Sequence, residues 1–171
     1  SGIYMTILAD FYCDDCQLEG GDFRLIGASV SGKLHMSRIG IKAQSSLALI
    51  MQDARFDGGV MIAGTSDRAV QFDGAVSFMN AKLGSSFILV EAVIGTADVP
   101  AELSLDSAKV TGDVLMHRAT VNGRCGVGSA HIEGSLRFEG ATLHCPGRIA
   151  LYGNGATITG QLNFSADKPG T

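Results

Sequence analysis

Tryptophan is absent from this chain and proline nearly so, with 3 prolines against 23 glycines. Frequent bends without proline point to a regular chain, and 46% hydrophobic with 18% charged residues is the balance of a globular protein, which excludes disorder. No apolar run approaches the roughly 18 residues of a membrane-spanning helix. The start, Ser1-Gly2-Ile3-Tyr4-Met5, has no basic region leading into an apolar one, so no signal peptide is expected, and Ser1-Gly2 reads as a cloning remnant. Positive charge is also short: a formal net charge of −4 excludes a strongly basic nucleic-acid binder. The 4 cysteines have no framework spacing, which points to a reducing, cytoplasmic setting. At 171 residues, one domain can bury roughly two-thirds of its unfolded surface without metal, disulfide or other cofactor.

What the sequence does have is a repeat. The unit is eleven residues: a small residue, then aliphatic, glycine, aliphatic and large apolar residues at alternate positions, then two spacers. Ala108-Val110-Gly112-Val114-Met116 is followed by Ala119-Val121-Gly123-Cys125-Val127 and by Ala130-Ile132-Gly134-Leu136-Phe138. Extending the register opens coils at Met5, Ala28, Ala54, Ala81, Ala108, Ala130 and Ala156, with half-coil starts at Cys16, Ile39, Thr65, Ala92, Ala119 and Ala141. Apolar positions alternate with period two, whereas a helix would need spacings of three and four. The expectation is therefore an all-β fold, a right-handed parallel β-helix of about six and a half coils. Each coil has 22–27 residues in two eleven-residue units. The domain spans 5–166, with a lead-in at 1–4 and a tail at 167–171.

Inserts of about four or five residues near Gln44–Ser46, Gly64–Arg68, Thr96–Ala101 and Cys145–Asn154 are expected to share one corner and to project along one edge. Each strand must pair in parallel with its equivalent one coil away, about 4.8 Å distant. Met36, Ile62, Leu89, Met116, Phe138 and Phe164 then form one interior stack, held by nearest-neighbour burial. Glycine at mid-unit fits either a left-handed bend or a close approach of successive backbones.

The pattern Leu136-Arg137-Phe138-Glu139-Gly140-Ala141-Thr142-Leu143 resembles the alanine-x-leucine step of pentapeptide-repeat proteins, whose coils are four-sided. The rhythm Ala130-His131-Ile132-Glu133-Gly134 resembles that of bactofilins, whose coils are triangular. In coil size and corner inserts the chain is similar to pectin-lyase-type β-helices, and that resemblance implies clustered aspartates or a calcium site on one strand face; no such cluster appears in the sequence.

Outward positions of the uninserted units carry Arg55, Lys82, Lys109 and His131, one coil apart. Stacked like charges repel, so this column implies neighbouring acids or an anionic ligand such as a polysaccharide. Asp57 and Glu133 are placed to screen its ends, and a merely solvated face is the better explanation of the column. Asp67 and Arg68 mark the insert edge as a second element of a binding face. Cys13 and Cys16 have the spacing of half a metal site, but the register turns both inward as small hydrophobes. His35, His117, His131 and His144 all read as outward, none in register with a nucleophile, so acyl transfer has no support. Asp53 and Asp106 are explained by turn chemistry.

The function expected is a non-catalytic structural or interaction scaffold, self-associating through the unpaired strands of its ends. The alternative is a carbohydrate-binding or carbohydrate-processing β-helix. DNA mimicry, implied by the pentapeptide-repeat resemblance, is opposed by outward residues of mixed sign.

Overall fold

A computed structural model describes residues 4–166; residues 1–3 of the lead-in and the tail at 167–171 lie outside the described residues. The chain is an all-β parallel solenoid of about six turns, with no helix among the described residues. Four strands make one coil. In the first these are β1 (Thr6–Ile7), β2 (Phe11–Asp14), β3 (Gln17–Glu19) and β4 (Phe23–Arg24). Each founds a parallel sheet, so the solenoid has four sides, of seven, seven, six and six strands among the described residues. Register partners on the first side are 22 to 27 residues apart, the expected coil length.

The interior is built of columns. Coil-opening Ala28, Ala54, Ala81, Ala108 and Ala130 are all buried at one corner. On the second side Cys13, Met36, Ile62, Leu89, Met116, Phe138 and Phe164 pair in strict succession, as the repeat requires. Phe78 packs edge-on against Phe87 with ring centroids 5.1 Å apart, and Phe56 lies 6.3 Å from Phe78. Because every coil buries its apolar side only against its neighbours, stability is distributed along the stack.

Glycine divides between two uses. Gly32, Gly58, Gly134 and Gly160 follow the strands of the first side, and their role is close approach: a Cβ at Gly134 would meet the carbonyl of Gly112 at 2.6 Å, and one at Gly58 the amide of Lys33 at 2.7 Å. Left-handed backbone occurs at Gly59 on this corner and at Gly20 and Gly95 after the third side, but most of it lies at the corners after the second and fourth sides. There it is adopted by Asp15, Arg38, Glu91 and Arg118, and by Asp53, Asn80, Ser107 and Ser129. Side chains take part in the stacking at the first corner, where the Lys33 amide donates to Asp10 Oδ1 (2.8 Å), the Ser135 amide to Asp113 Oδ1 (2.8 Å) and the Gln161 amide to Ser135 Oγ (3.0 Å). The bond from Lys33 holds the Asp10 carboxyl below its usual range.

The inserts do not share one corner. Three of them, 43–46, 95–102 and 144–150, join the third side to the fourth; the segment 64–69 instead joins the second side to the third. In that coil the half-unit therefore opens at Val70, which aligns with Ala92 and extends the Ile39 position, and not at Thr65. Thr65 satisfies the small-residue rule of the repeat and Val70 does not, which moves the expected insert to the wrong half of the coil.

Candidate functional site

Arg55, Lys82, Lys109 and His131 are successive partners on the first side and all are exposed. Arg55 Nε donates to Asp57 Oδ1 at 2.6 Å, so one end of the column is neutralised. The positions corresponding to Asp57 beside Lys82 and Lys109 are Gly84 and Thr111, and no acid among the described residues lies within ion-pair distance of either lysine. The column is thus a pair of free cations between Arg55 and His131.

Asp67 and Arg68 sit on the 64–69 insert, a full side away from that column. Arg68 Nη1 reaches Asp15 Oδ1 at 3.1 Å, and Asp15 also accepts from Arg38 Nε at 2.9 Å. The Arg38 hydrogen bond is the chief cause holding the Asp15 carboxyl below its usual range. A hydrogen bond from Thr65 lowers Asp67 in the same way. These groups clamp the second corner across three coils.

A concavity lies at the next corner, between the third and fourth sides. The coil from Ala108 to Ser129 passes from the third to the fourth side with no insert, through Val121-Asn122-Gly123-Arg124, while the coils on either side carry 95–102 and 144–150. The short coil leaves a notch of about 980 Å³ walled by Pro100, Ala101, Glu102, Pro146, Ile149 and Tyr152. Arg124 forms its floor. Its Nη2 donates to Glu102 Oε1 at 2.6 Å and lies 3.8 Å from Asp106 Oδ2, with the guanidinium 5.2 Å from the centre of the Tyr152 ring. The Glu102 hydrogen bond raises the Arg124 pKa and fixes its charge. Gly123 is required here because a Cβ would collide with the Ala101 carbonyl, and Gly128 because one would sit 2.7 Å from the Tyr152 ring. Cys145, a half-buried free thiol, and Arg148 complete the lining, which puts Cys145 beside Gly123 as the register implies.

Neither Cys13 nor Cys16 is poised for chemistry. Both are partly buried against the core; burial pushes the Cys13 thiol up to about 11, and Cys16 Sγ donates to the Asp14 carbonyl at 3.3 Å. No cluster of three or more His, Cys, Asp or Glu able to hold a metal occurs among the described residues. His35 lies outward, 5.6 Å from the Tyr12 ring, and His117 Nδ1 lies 3.8 Å from Glu139 Oε2.

No family model, curated protein or solved structure matches the chain. Sequence reading missed Arg124, Glu102 and Tyr152, which are up to 50 residues apart and meet only through the stacking of coils. One signal for them was present: two consecutive eleven-residue steps at Ala108 and Ala119, between coils that are both extended.

Proposed function

We propose that this protein is a non-catalytic interaction scaffold that associates end to end by adding parallel rungs. The observation that carries this reading is the outermost described rung. Phe164 lies flat on Phe138, with centroids 4.7 Å apart and 3° between planes, yet remains 59% exposed, and its strand Leu162–Ser165 is paired on one side only. A further parallel strand, from a second copy or from additional chain, would bury that ring and satisfy the open ladder. Four sides per coil also favour a pentapeptide-repeat-like scaffold over a triangular, bactofilin-like one. Sedimentation velocity between micromolar and millimolar protein tests the proposal. Heterologous end contacts do not close, so species larger than two protomers should accumulate and Phe164→Asp should remove them; a mass that never exceeds two protomers would sink it.

A second reading, carbohydrate binding in the notch, is favoured by one observation, the Tyr152 ring beside the charge-fixed Arg124–Glu102 pair. An aromatic face with bidentate polar groups suits a hydroxylated ring. Oligosaccharides titrated against alkylation of Cys145 should slow the labelling in wild type and not in Tyr152→Ala; a labelling rate unmoved by any glycan removes this reading.

A further inference from the structure

The second side has an apolar outer face. Its strands all have four residues, a length matched among the described residues by Leu47–Ile50 on the fourth side, and their second and fourth residues point outward while the first and third fill the interior. Across the middle rungs the outward residues are Met61 with Ala63, Ile88 with Val90, and Leu115 with His117. Met61 is 36% exposed, and Ile88, Val90 and Leu115 are partly so. Towards the ends the same two columns turn polar, with Tyr12 and Asp14 on one rung and Arg137 and Glu139 on another. The first side, by contrast, presents the basic column.

We infer that this face is the interface of a two-fold dimer of the chain, with the two solenoids side by side and their axes parallel. A two-fold axis along the solenoid direction keeps the rungs level and reverses the strands, so the second residue of each strand meets the fourth residue of the same rung in the partner. The match is complementary on four of the five rungs named, Leu115 meeting His117 on the fifth. Ile88 meets the smaller Val90, and Met61 meets Ala63. Arg137 meets Glu139 twice, once in each direction, which extends the ion pairs Arg137 already makes with Glu139 and Asp113 of its own chain, and the Tyr12 hydroxyl, held by its own Asp10, meets Asp14 in the same reciprocal way. Sequence order places a large residue against a small one and a cation against an anion without any change of register. Rotation about an axis along the strands would instead set Ile88 on Ile88 and His35 on Arg137, with no such complement.

Strands of four residues span about 13 Å and seven strands about 29 Å, a flat area of roughly 380 Å². Counted on both partners this is roughly 760 Å², below the usual size of a specific interface, so dimerisation should be weak and set in between about 0.1 and 1 mM. The contact closes at two copies and uses outward side chains, not the open backbone edges of the outermost strands, which separates it from the end-to-end association proposed above.

Light scattering and sedimentation equilibrium of the Phe164→Asp variant, in which end addition is blocked, supply the test. A monomer–dimer equilibrium is expected, and Leu115→Asp should weaken it by about a hundredfold while circular dichroism stays that of the parent. Arg137→Glu alone should weaken it about tenfold, and the double variant Arg137→Glu/Glu139→Arg should return it to within about threefold of the parent. A parent that stays monomeric at millimolar concentration overturns the inference. So does a dimer indifferent to Leu115→Asp, or a charge-reversed double variant that fails to recover; the last result refutes the strand-reversed geometry even if Leu115→Asp disturbs folding.

Discussion

Adding one methyl group at Gly134 probes how closely the coils are pressed together. The new Cβ of Gly134→Ala would stand 2.6 Å from the carbonyl carbon and oxygen of Gly112 in the preceding coil, and neither atom belongs to a flexible side chain. To reach ordinary contact the two backbones must separate by several tenths of an ångström, which stretches the bond from the Gly134 amide to the Gly112 carbonyl, already 3.2 Å long. Overpacking of this kind costs about 1–3 kcal/mol and a weakened hydrogen bond up to about 1 more. Against that, alanine restricts the unfolded chain by about 0.4–1 kcal/mol. The net expectation is destabilisation by about 1–3 kcal/mol, or a fall in Tm of roughly 3–10 °C. Gly153→Ala is the control. Its Cβ would meet only Val127 Cγ2, at 3.5 Å, so the same substitution should be neutral or stabilising by up to about 1 kcal/mol. Urea unfolding followed by far-ultraviolet circular dichroism reads both variants as midpoint shifts. Equal shifts for the two would refute the claim that the mid-unit glycines serve close approach.

Three further outcomes are expected. Met116→Ala, in the middle of the buried stack between Leu89 and Phe138, should cost about 2–5 kcal/mol in the same unfolding assay, and a loss under 1 would show that the column can collapse around the gap. Asp15 has its folded pKa lowered, so its contribution is complete above the unfolded carboxylate value and is lost as pH falls through the folded one; Asp15→Asn should flatten the loss of stability below about pH 4, and an unchanged acid limb would remove the Arg38 clamp from the account. Burial pushes the Cys125 thiol up to about 12, so iodoacetamide at pH 8 should label Cys145 in the native protein and reach Cys125 only after unfolding, a result that equal labelling rates would contradict.

The interior was legible because each of its columns is a periodic sequence signal. Alanine at Ala54, Ala81 and Ala108 and the stack from Met36 to Phe164 recur at the coil length, and one register error would turn every side chain to the other face. The corners were less legible, because two kinds of turn serve them. Left-handed backbone is taken up by Asp15, Arg38, Glu91 and Arg118, whose side chains then bridge coils in the Asp15–Arg38 and Glu91–Arg118 pairs, so glycine marks this bend only at Gly140. The misplaced second insert has the same origin: Thr65 imitates a unit start that Val70 in fact provides. The outer face of the second side went unread because Met61, Ile88 and Leu115 occupy positions that the repeat leaves unrestricted.

The notch around Arg124 is a site made by subtraction. Its floor is the corner from which residues are missing, and its walls belong to neighbouring coils whose inserts also end at the third and fourth sides. Such a cavity can be altered without editing any residue that lines it. Four residues spliced in after Asn122 would fill it from below, whereas removing 96–99 would open it to one side, and in neither case would a strand change its partner. Coil length is thus a variable that sets surface shape independently of the core. A solenoid whose coils range from 22 to 27 residues can carry as many distinct recesses as it has changes of length between neighbours.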